Sequence, residues 1–404
     1  MHSSYPNLPV DAKAAQADFQ AAFESLARER VRDLLQTYLE HEVDELLERS
    51  RYERCKPGRP VAYRNGHDEP RSLTTGVGTL KVSRPRVRGV RFDSAAMPRY
   101  KRRVACLDRT AHDLWLEGLA TRDVEPALRA LLGANAPLSA STIARVNAQF
   151  VSDYDDWSKR SLSNVDVVYL WADGIFLGAG DADERRVILA VLGADSSGVK
   201  HLLGLADAIS ESEISWRELF EDMNARGLPA PHLLIADGAD GIWNAATKAF
   251  PTAKQQRCWF HKQQNILDKV GERVKDEVKS ALNEAMYAKT AQESESCLHT
   301  LAAYLDAAYP KASSCIRDDM ERLFSFYHFP ERNWKSIRTS NPIESVFASV
   351  RLRTEAAKQM RTGKSATYLV FALIRRLSEN WNRISGHAHI APFLAAHAAA
   401  KTTG

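Results

Sequence analysis

VDVVYLWADG (165–174) and HLLIADG (232–238) decide the fold, because each is a short apolar run that ends in Asp-Gly. RRVILAVLGAD (185–195) and KHLLGLADA (200–208) lie between them and also resemble strands. The stretch SEISWRELFEDMNARGL (212–228) is amphipathic with a helical period. This β-β-β-α-β order predicts a mixed sheet with helices packed on it.

Two carboxylates are predicted to meet at one edge of this sheet. Asp173 closes the first apolar run and Asp237 closes the last, and we expect their strands to be neighbours. A carboxylate at the end of a buried strand is costly unless it is exposed or paired with a cation. Oxygen ligands of this kind suit Mg²⁺ or Mn²⁺, although a single Asp-Gly pair is commonly only a turn.

Glu344, in RTSNPIESVFASVRLR (338–353), is the candidate third carboxylate. The same stretch also fits a helix cap, with Asn341 as the N-cap, Pro342 as the first helical residue and the glutamate at the third position. On that helix Glu344 and Arg351 share one side, so the glutamate can face the sheet while the arginine contacts a DNA phosphate.

A longer stretch, DGADGIWNAATKAFPTAKQQRCWFH (237–261), resembles the signature of mutator-type bacterial insertion-sequence transposases. The matching features are Asp237-x3-Gly241, AFPTA (249–253), Gln256 and Cys258-x2-His261. TSNPIES (339–345) resembles the segment that carries the catalytic glutamate of that family. The resemblance covers roughly residues 165–385.

The resemblance implies an α/β RNase H-like core, a mixed sheet flanked by helices. It also implies an Asp-Asp-Glu triad, here Asp173, Asp237 and Glu344, that binds two Mg²⁺ or Mn²⁺ ions per active site. An all-helical insertion is implied between the second Asp and the Glu. We expect the first part of the core at 165–263, the insertion at 264–335, the last core helices at 336–390 and a tail at 391–404, of which AHAAAKTTG (396–404) is predicted to be unanchored. RTGKSATYL (361–369) is predicted to interrupt the last helical tract.

Cys258 and His261 form half of a zinc site, whereas tetrahedral zinc takes four ligands. We therefore favour a supporting role beside the metal ligands over zinc binding. His261 is expected to form a hydrogen bond near the carboxylates, and Cys258 to pack as a small apolar group.

The first 164 residues are predicted to be a mostly helical DNA-binding region. We expect helix at 1–50, a basic arm or small β module at 51–107, a helix-turn-helix-like unit of three short helices at 108–150, and a polar linker at 151–164. Residues 51–104 carry 15 Lys/Arg and 4 Asp/Glu, whereas the whole chain has a net charge of only +4, so a polyanionic partner is favoured. In this module RNG (64–66) is a turn signal, and TLKVS (79–83) is a strand.

Several side chains are candidates for DNA contact, although a solvated basic surface is the alternative for each arginine. The candidates are Ser141, Thr142 and Arg145 of the helix-turn-helix, Arg84, Arg86 and Arg88 of the basic module, and Arg351 and Arg353 beside the proposed active site.

Together these features predict a DNA transposase that binds the terminal inverted repeats of its element. It would cleave phosphodiester bonds and join the freed 3′-OH to target DNA, as a homodimer or larger assembly on double-stranded DNA. The alternatives are a catalytically silent, domesticated DNA-binding protein and a metal-dependent nuclease of the RNase H class without strand transfer. With five scattered cysteines, no long apolar run and no signal sequence, we expect a cytoplasmic, nucleoid-associated bacterial protein with no membrane span.

Overall fold

The computed structural model describes residues 12–50, 52–53, 62–98, 105–116, 126–129, 140–177, 186–356 and 363–402. The chain forms two compact units, Met1–Asn147 and Ala148–Gly404. All three predicted metal ligands belong to the second unit.

The first unit combines long helix with short strands. Its elements are helix α1 (Ala12–Leu47), strands β1 (Tyr63–His67), β2 (Arg71–Thr75), β3 (Gly78–Val82) and β4 (Pro85–Arg88), and helix α2 (Ala105–Leu116). β1 pairs with β4 and β2 pairs with β3, both antiparallel. The strand predicted at 79–83 is β3. RNG, predicted as a turn, lies within β1, where the register shifts between Arg64 and His67 and Gly66 has a positive φ.

Helix α3 (Ala140–Lys159) includes residues 151–159 of the predicted linker at 151–164, so only 160–164 of that linker lie outside the helix. The polar composition of this segment hides two aromatic anchors, Tyr154 and Trp157, whose rings lie 5.5 and 4.9 Å from that of Phe371. Tyr154 also donates its hydroxyl to the Leu205 carbonyl at 2.9 Å. The segment is therefore a helix that packs on the second unit's core.

The second unit is built on a five-stranded mixed sheet with the order β7-β6-β5-β8-β9. Its strands are β5 (Val167–Leu177), β6 (Arg186–Asp195), β7 (Lys200–Ala208), β8 (Leu233–Ala236) and β9 (Lys254–Arg257). β5, β6 and β7 form an antiparallel meander, and β8 and β9 continue the sheet parallel to β5. This confirms the mixed sheet that the apolar runs predict.

One face of the sheet carries the main apolar core. Helix α4 (Glu213–Ala225), between β7 and β8, and helix α5 (Asp240–Ala249), between β8 and β9, cover this face. Even-numbered residues of β5, such as Leu170 and Ala172, share this core with Trp216 and Phe220 of α4. Because side chains alternate along a strand, the odd-numbered residues point to the opposite face.

The opposite face is covered by the chain that leads to Glu344. Trp171 donates its indole N–H to the Ser336 carbonyl at 3.2 Å, and Tyr169 donates its hydroxyl to the Asn333 side chain at 3.1 Å. The next helix, α11 (Asn341–Ala356), contacts β5.

The segment between β9 and α11, all of which the structure describes, contains helices and no strand. Its α-helices are α6 (Trp259–Leu267), α7 (Lys275–Met286), α8 (Ala291–Leu305), α9 (Pro310–Arg317) and α10 (Trp334–Ile337). Gln256 of β9 is fully buried and ties this segment to the sheet. Its amide donates to the Leu323 carbonyl at 3.1 Å and accepts from the Phe326 N–H at 2.8 Å.

The C-terminal helical tract is described as two separate helices. Helix α12 (Gly363–Ser378) begins within RTGKSATYL, the stretch predicted to interrupt the tract, and residues 357–362 lie outside the described residues. The predicted tail at 391–404 lies largely in α13 (Ile390–Thr402), where the Phe393 ring lies 5.6 Å from that of Phe329; residues 396–399, in the part predicted to be unanchored, are exposed. Alanine has the highest helix propensity, so an alanine-rich tail with one aromatic anchor suits a helix.

We predict that Gln256→Met lowers the free energy of unfolding by about 1–3 kcal/mol, because the buried Phe326 N–H loses its acceptor. The control is Gln264→Met, because the Gln264 side chain is exposed on α6. Chemical denaturation of both variants measures the difference. Equal losses would show that the Gln256 amide does not anchor the helical segment.

Candidate active site

Strand register brings the two aspartates together. β5 pairs with β8 in parallel, with Trp171 opposite Ile235. Asp173 lies two residues beyond Trp171, and Asp237 lies two residues beyond Ile235. Because side chains alternate along a strand, the two aspartates lie side by side on the face covered by α11. The prediction that Asp173 ends its strand is wrong, since β5 continues to Leu177 by pairing with β6. β5 lies between β6 and β8 in the sheet, and Asp173 stands just beyond the point where β8 ends.

Glu344 lies in the first turn of α11, and His261 of α6 is its neighbour. The His261 Nδ1 atom is 3.7 Å from the Glu344 carboxylate. Ser340, directly before the helix, donates its hydroxyl to the same carboxylate and lies 3.3 Å from His261 Nδ1. The helix begins at Asn341, so the predicted cap is shifted by one residue. The predicted capping box is also absent, since the Ser340 N–H donates to the Cys258 sulfur at 3.2 Å.

Cys258 is fully buried at the end of β9, and burial raises the pKa of its thiol to about 11. Its sulfur lies 3.0 Å from the Ser340 hydroxyl oxygen. Because the single hydroxyl proton goes to the acceptor-only carboxylate, the thiol proton is available for the serine oxygen. The result is a chain of hydrogen bonds from Cys258 through Ser340 to Glu344.

Ligand atoms of Cys258, His261 and Glu344 lie within 4.8 Å of one another, which is close enough for a shared ion. Zinc would require a thiolate and a fourth ligand. The high pKa of the buried Cys258 thiol opposes the thiolate. The contacts favour the supporting role that the sequence predicts for Cys258 and His261.

The pKa of the Asp173 carboxyl is raised to about 7, first by burial and then by the charge of Asp237, with a further increase from Glu211. His261 opposes this increase. The pKa of Glu211 is likewise raised to about 7, by burial and then by Asp237. The site is therefore a cluster of carboxyls that resist simultaneous ionisation in the absence of a cation.

Glu211 is a member of this cluster that the sequence analysis does not predict. It stands in ADAISESEIS (206–215), a polar connection in which neither composition nor spacing distinguishes it from Glu213. A usable signal was its position: the connection between the third strand and the first helix ends at the edge of the sheet beside Asp173.

The arginines predicted to contact DNA differ in exposure. Arg86 and Arg88 are exposed, whereas Arg84 is 8% exposed, with its guanidinium 5.6 Å from the centre of the Phe92 ring. All three line a surface cleft of about 440 Å³ in the first unit, together with Arg71, Arg91 and Asp68. Arg84 is thus chiefly part of the cleft's wall, and Arg86 and Arg88 are the ones available to a partner.

The remaining predicted DNA-binding residues are less fully described. Arg351 is exposed on α11. Ser141, Thr142 and Arg145 lie on α3 and Arg353 on α11, but their side chains lie outside the described part of the chain. Residues 117–125 and 130–139, which include much of the predicted helix-turn-helix, are also outside it.

Comparison with known protein families shows to which family the chain belongs. Residues 7–384 match the family model for Mutator-family transposases. The chain belongs to the Mutator family of transposases. This confirms the resemblance seen in the sequence, and the family match extends well beyond the 165–385 region in which that resemblance is strongest.

The chain is also similar to several transposases for insertion sequence elements. The transposase for element IS6120 of Mycolicibacterium smegmatis is 39% identical over 272 residues, covering 67% of this chain and 84% of the relative. The transposase for IST2 of Acidithiobacillus ferrooxidans is 35% identical over 260 residues, covering 64% and 88%. The transposase for ISRM5 of Rhizobium meliloti is 29% identical over 376 residues, covering 92% of each chain. Among the described residues, no helix is both long and apolar enough to cross a membrane.

We predict that metal-free protein loses stability as the pH rises from about 4 to 7, because the folded state holds a proton on Asp173 that the unfolded chain releases. Asp173→Asn should reduce this loss and melt at a higher temperature than the wild type at pH 8. Melting curves of the wild type and the variant in EDTA, at pH 5 and pH 8, measure this loss of stability. Asp276→Asn, an exposed change in the first turn of α7, is the control. A melting temperature for Asp173→Asn below that of the wild type at pH 8 would contradict the prediction.

Proposed function

We propose that this Mutator-family protein is the transposase of an insertion sequence that cleaves DNA at the ends of its element and joins the freed 3′-OH to target DNA. The observation that carries the proposal is the convergence on one face of the sheet. Asp173 and Asp237 lie side by side there, and the helix that carries Glu344 covers that face. The strand order and the helical segment before Glu344 support an RNase H-like core with a helical insertion.

The donor set fits a hard divalent cation. Carboxylate oxygens are the ligands that Mg²⁺ and Mn²⁺ prefer, and the repulsion that raises the Asp173 pKa is the kind that a cation relieves. Asp173, Asp237 and Glu344 would hold two such ions. When bound, the ions would supply an activated nucleophile and stabilise the leaving oxygen of a phosphodiester.

Residues around the triad hold the Glu344 carboxylate in place. The Ser340 hydroxyl donates to the Glu344 Oε1 atom, His261 Nδ1 lies 3.7 Å from the same oxygen, and Cys258 accepts the Ser340 N–H. Such neighbours orient a metal ligand and limit its rotamers before substrate arrives. We therefore assign Ser340, His261 and Cys258 to positioning Glu344.

DNA binding is proposed for the basic first unit, in which Arg86 and Arg88 present exposed charge beside the 440 Å³ cleft. Phosphate contacts supply affinity without sequence preference. Joining two element ends requires two active sites, so we expect a homodimer or larger assembly on DNA.

We predict that Glu344→Gln abolishes cleavage but not DNA binding. Loss of one carboxylate should lower nicking of terminal-repeat DNA at least about 100-fold in Mg²⁺, because the ions are no longer held in line. Gel-based nicking and strand-transfer assays measure the activity, and fluorescence anisotropy measures the affinity. Glu331→Gln, an exposed change in the helical segment, is the control.

Three outcomes separate the alternatives. Wild-type nicking by Glu344→Gln would return Glu344 to a cap-like structural role. Nicking without joining by the wild-type protein would favour a nuclease, and repeat binding without nicking would favour a silent DNA-binding protein.

We predict that Arg86→Gln with Arg88→Gln weakens DNA binding and flattens its salt dependence. Each lost phosphate contact should reduce the slope of log K against log salt by about 0.9. Anisotropy titrations of the full chain across a range of salt concentrations measure the slope. Arg28→Gln on α1 is the control, because Arg28 is exposed and pairs with Glu24 at 3.5 Å. An unchanged slope in the double variant would remove the cleft from the DNA interface.

A further inference from the structure

Glu211 occupies the connection between β7 and α4. It directly precedes Ser212, the N-cap of α4, whose hydroxyl accepts the Ser215 N–H. The Glu211 side chain is half-buried. Among the described residues it has no hydrogen-bond or ion-pair partner. It is near enough to Asp237 and His261 for both to affect its pKa.

The residue after the first aspartate makes room for this carboxylate. A Cβ atom built on Gly174 would lie 1.9 Å from the Glu211 Oε1 atom. No side chain larger than hydrogen could occupy position 174 without moving Glu211. Gly174 also donates its N–H to the Asp173 carboxylate at 2.8 Å. The Glu211 carboxylate thus lies against the backbone that carries Asp173.

A second glycine, Gly241, lets the backbone that follows Glu211 pack closely against it. A Cβ atom on Gly241 would lie 2.7 Å from the Glu213 nitrogen and 3.2 Å from the Ser212 carbonyl carbon. The start of α5, just after Asp237, therefore packs directly against residues 212–213. The Glu211 carboxylate is thus held against the residue that follows Asp173, and the two residues that follow Glu211 pack against the start of the helix that follows Asp237.

We propose that Glu211 is a fourth carboxylate ligand of the divalent-cation site, held there by the space at Gly174 and Gly241. This inference rests on the proposed function. Four carboxylates carry four negative charges, which two divalent cations balance. The triad alone would leave one positive charge in excess. The lack of another partner for Glu211 among the described residues agrees with a ligand that pairs when the ions are bound.

The test measures Mn²⁺ binding to the full-length protein without DNA. Isothermal titration calorimetry gives the affinity and the number of bound ions. The electron paramagnetic resonance signal of free Mn²⁺ gives the amount of unbound ion. Glu211→Gln keeps the shape of the side chain and removes its charge. We expect Mn²⁺ affinity to fall about tenfold or more, or one ion fewer to bind. Glu221→Gln, an exposed change on the same helix α4, should bind as the wild type does. In EDTA, Glu211→Gln should melt no lower than the wild type, which shows that the variant is folded.

Asp237→Asn distinguishes failure of this inference from failure of the proposed function. If Asp237→Asn loses Mn²⁺ affinity while Glu211→Gln binds as the wild type does, Glu211 is not a ligand and the triad stands. If neither change alters Mn²⁺ binding, the cation site itself is wrong.

Discussion

The parallel pairing of β5 with β8 is the constraint on which the site depends. Side chains alternate along a strand, so a slip of one residue would move Asp173 or Asp237 into the apolar core on the opposite face. Tyr169 and Trp171 fix the register from one side through their bonds to Asn333 and Ser336. Leu170 and Ala172 fix it from the other side, in the core under α4 and α5. The same packing that stabilises the sheet therefore forces two like charges together.

The helical segment solves a positioning problem that the sheet cannot solve alone. Glu344 follows Asp237 by 107 positions, so its place depends on anchors at the root of the segment. Gln256 and Trp259 provide them, because both donate to the Leu323 carbonyl. The Trp259 N–H donates to the Arg338 carbonyl, and Cys258 and His261 hold Ser340 and Glu344 directly. The residues that resemble the family signature are thus largely the residues that attach Glu344 to the sheet.

The sequence predicts what local pattern encodes and misses what distant packing decides. Apolar runs give the strands and Asp237, and the signature gives Glu344. The strand continues past Asp173 because β6 pairs with it as far as Leu177, which no local pattern reveals. The acidic segment at 151–159 looks like a linker, yet Tyr154 and Trp157 fold it into α3 against a ring some 200 residues away. Glu211 escapes prediction because the groups near it, Gly174 and Asp237, come from distant parts of the chain and not from its own loop.

The cluster of carboxyls is locally unfavourable, and this is informative about function. Burial and mutual repulsion destabilise ionised Asp173 and Glu211, while glycines at 174 and 241 bring these groups closer instead of separating them. Neutral side chains at the same positions would give a more stable metal-free fold. The protein instead keeps acids where only a cation or a proton relieves the repulsion. Stability supplied by the apolar face and by the anchored helical segment offsets that cost, so the fold can hold this cluster of acids on one side of the sheet.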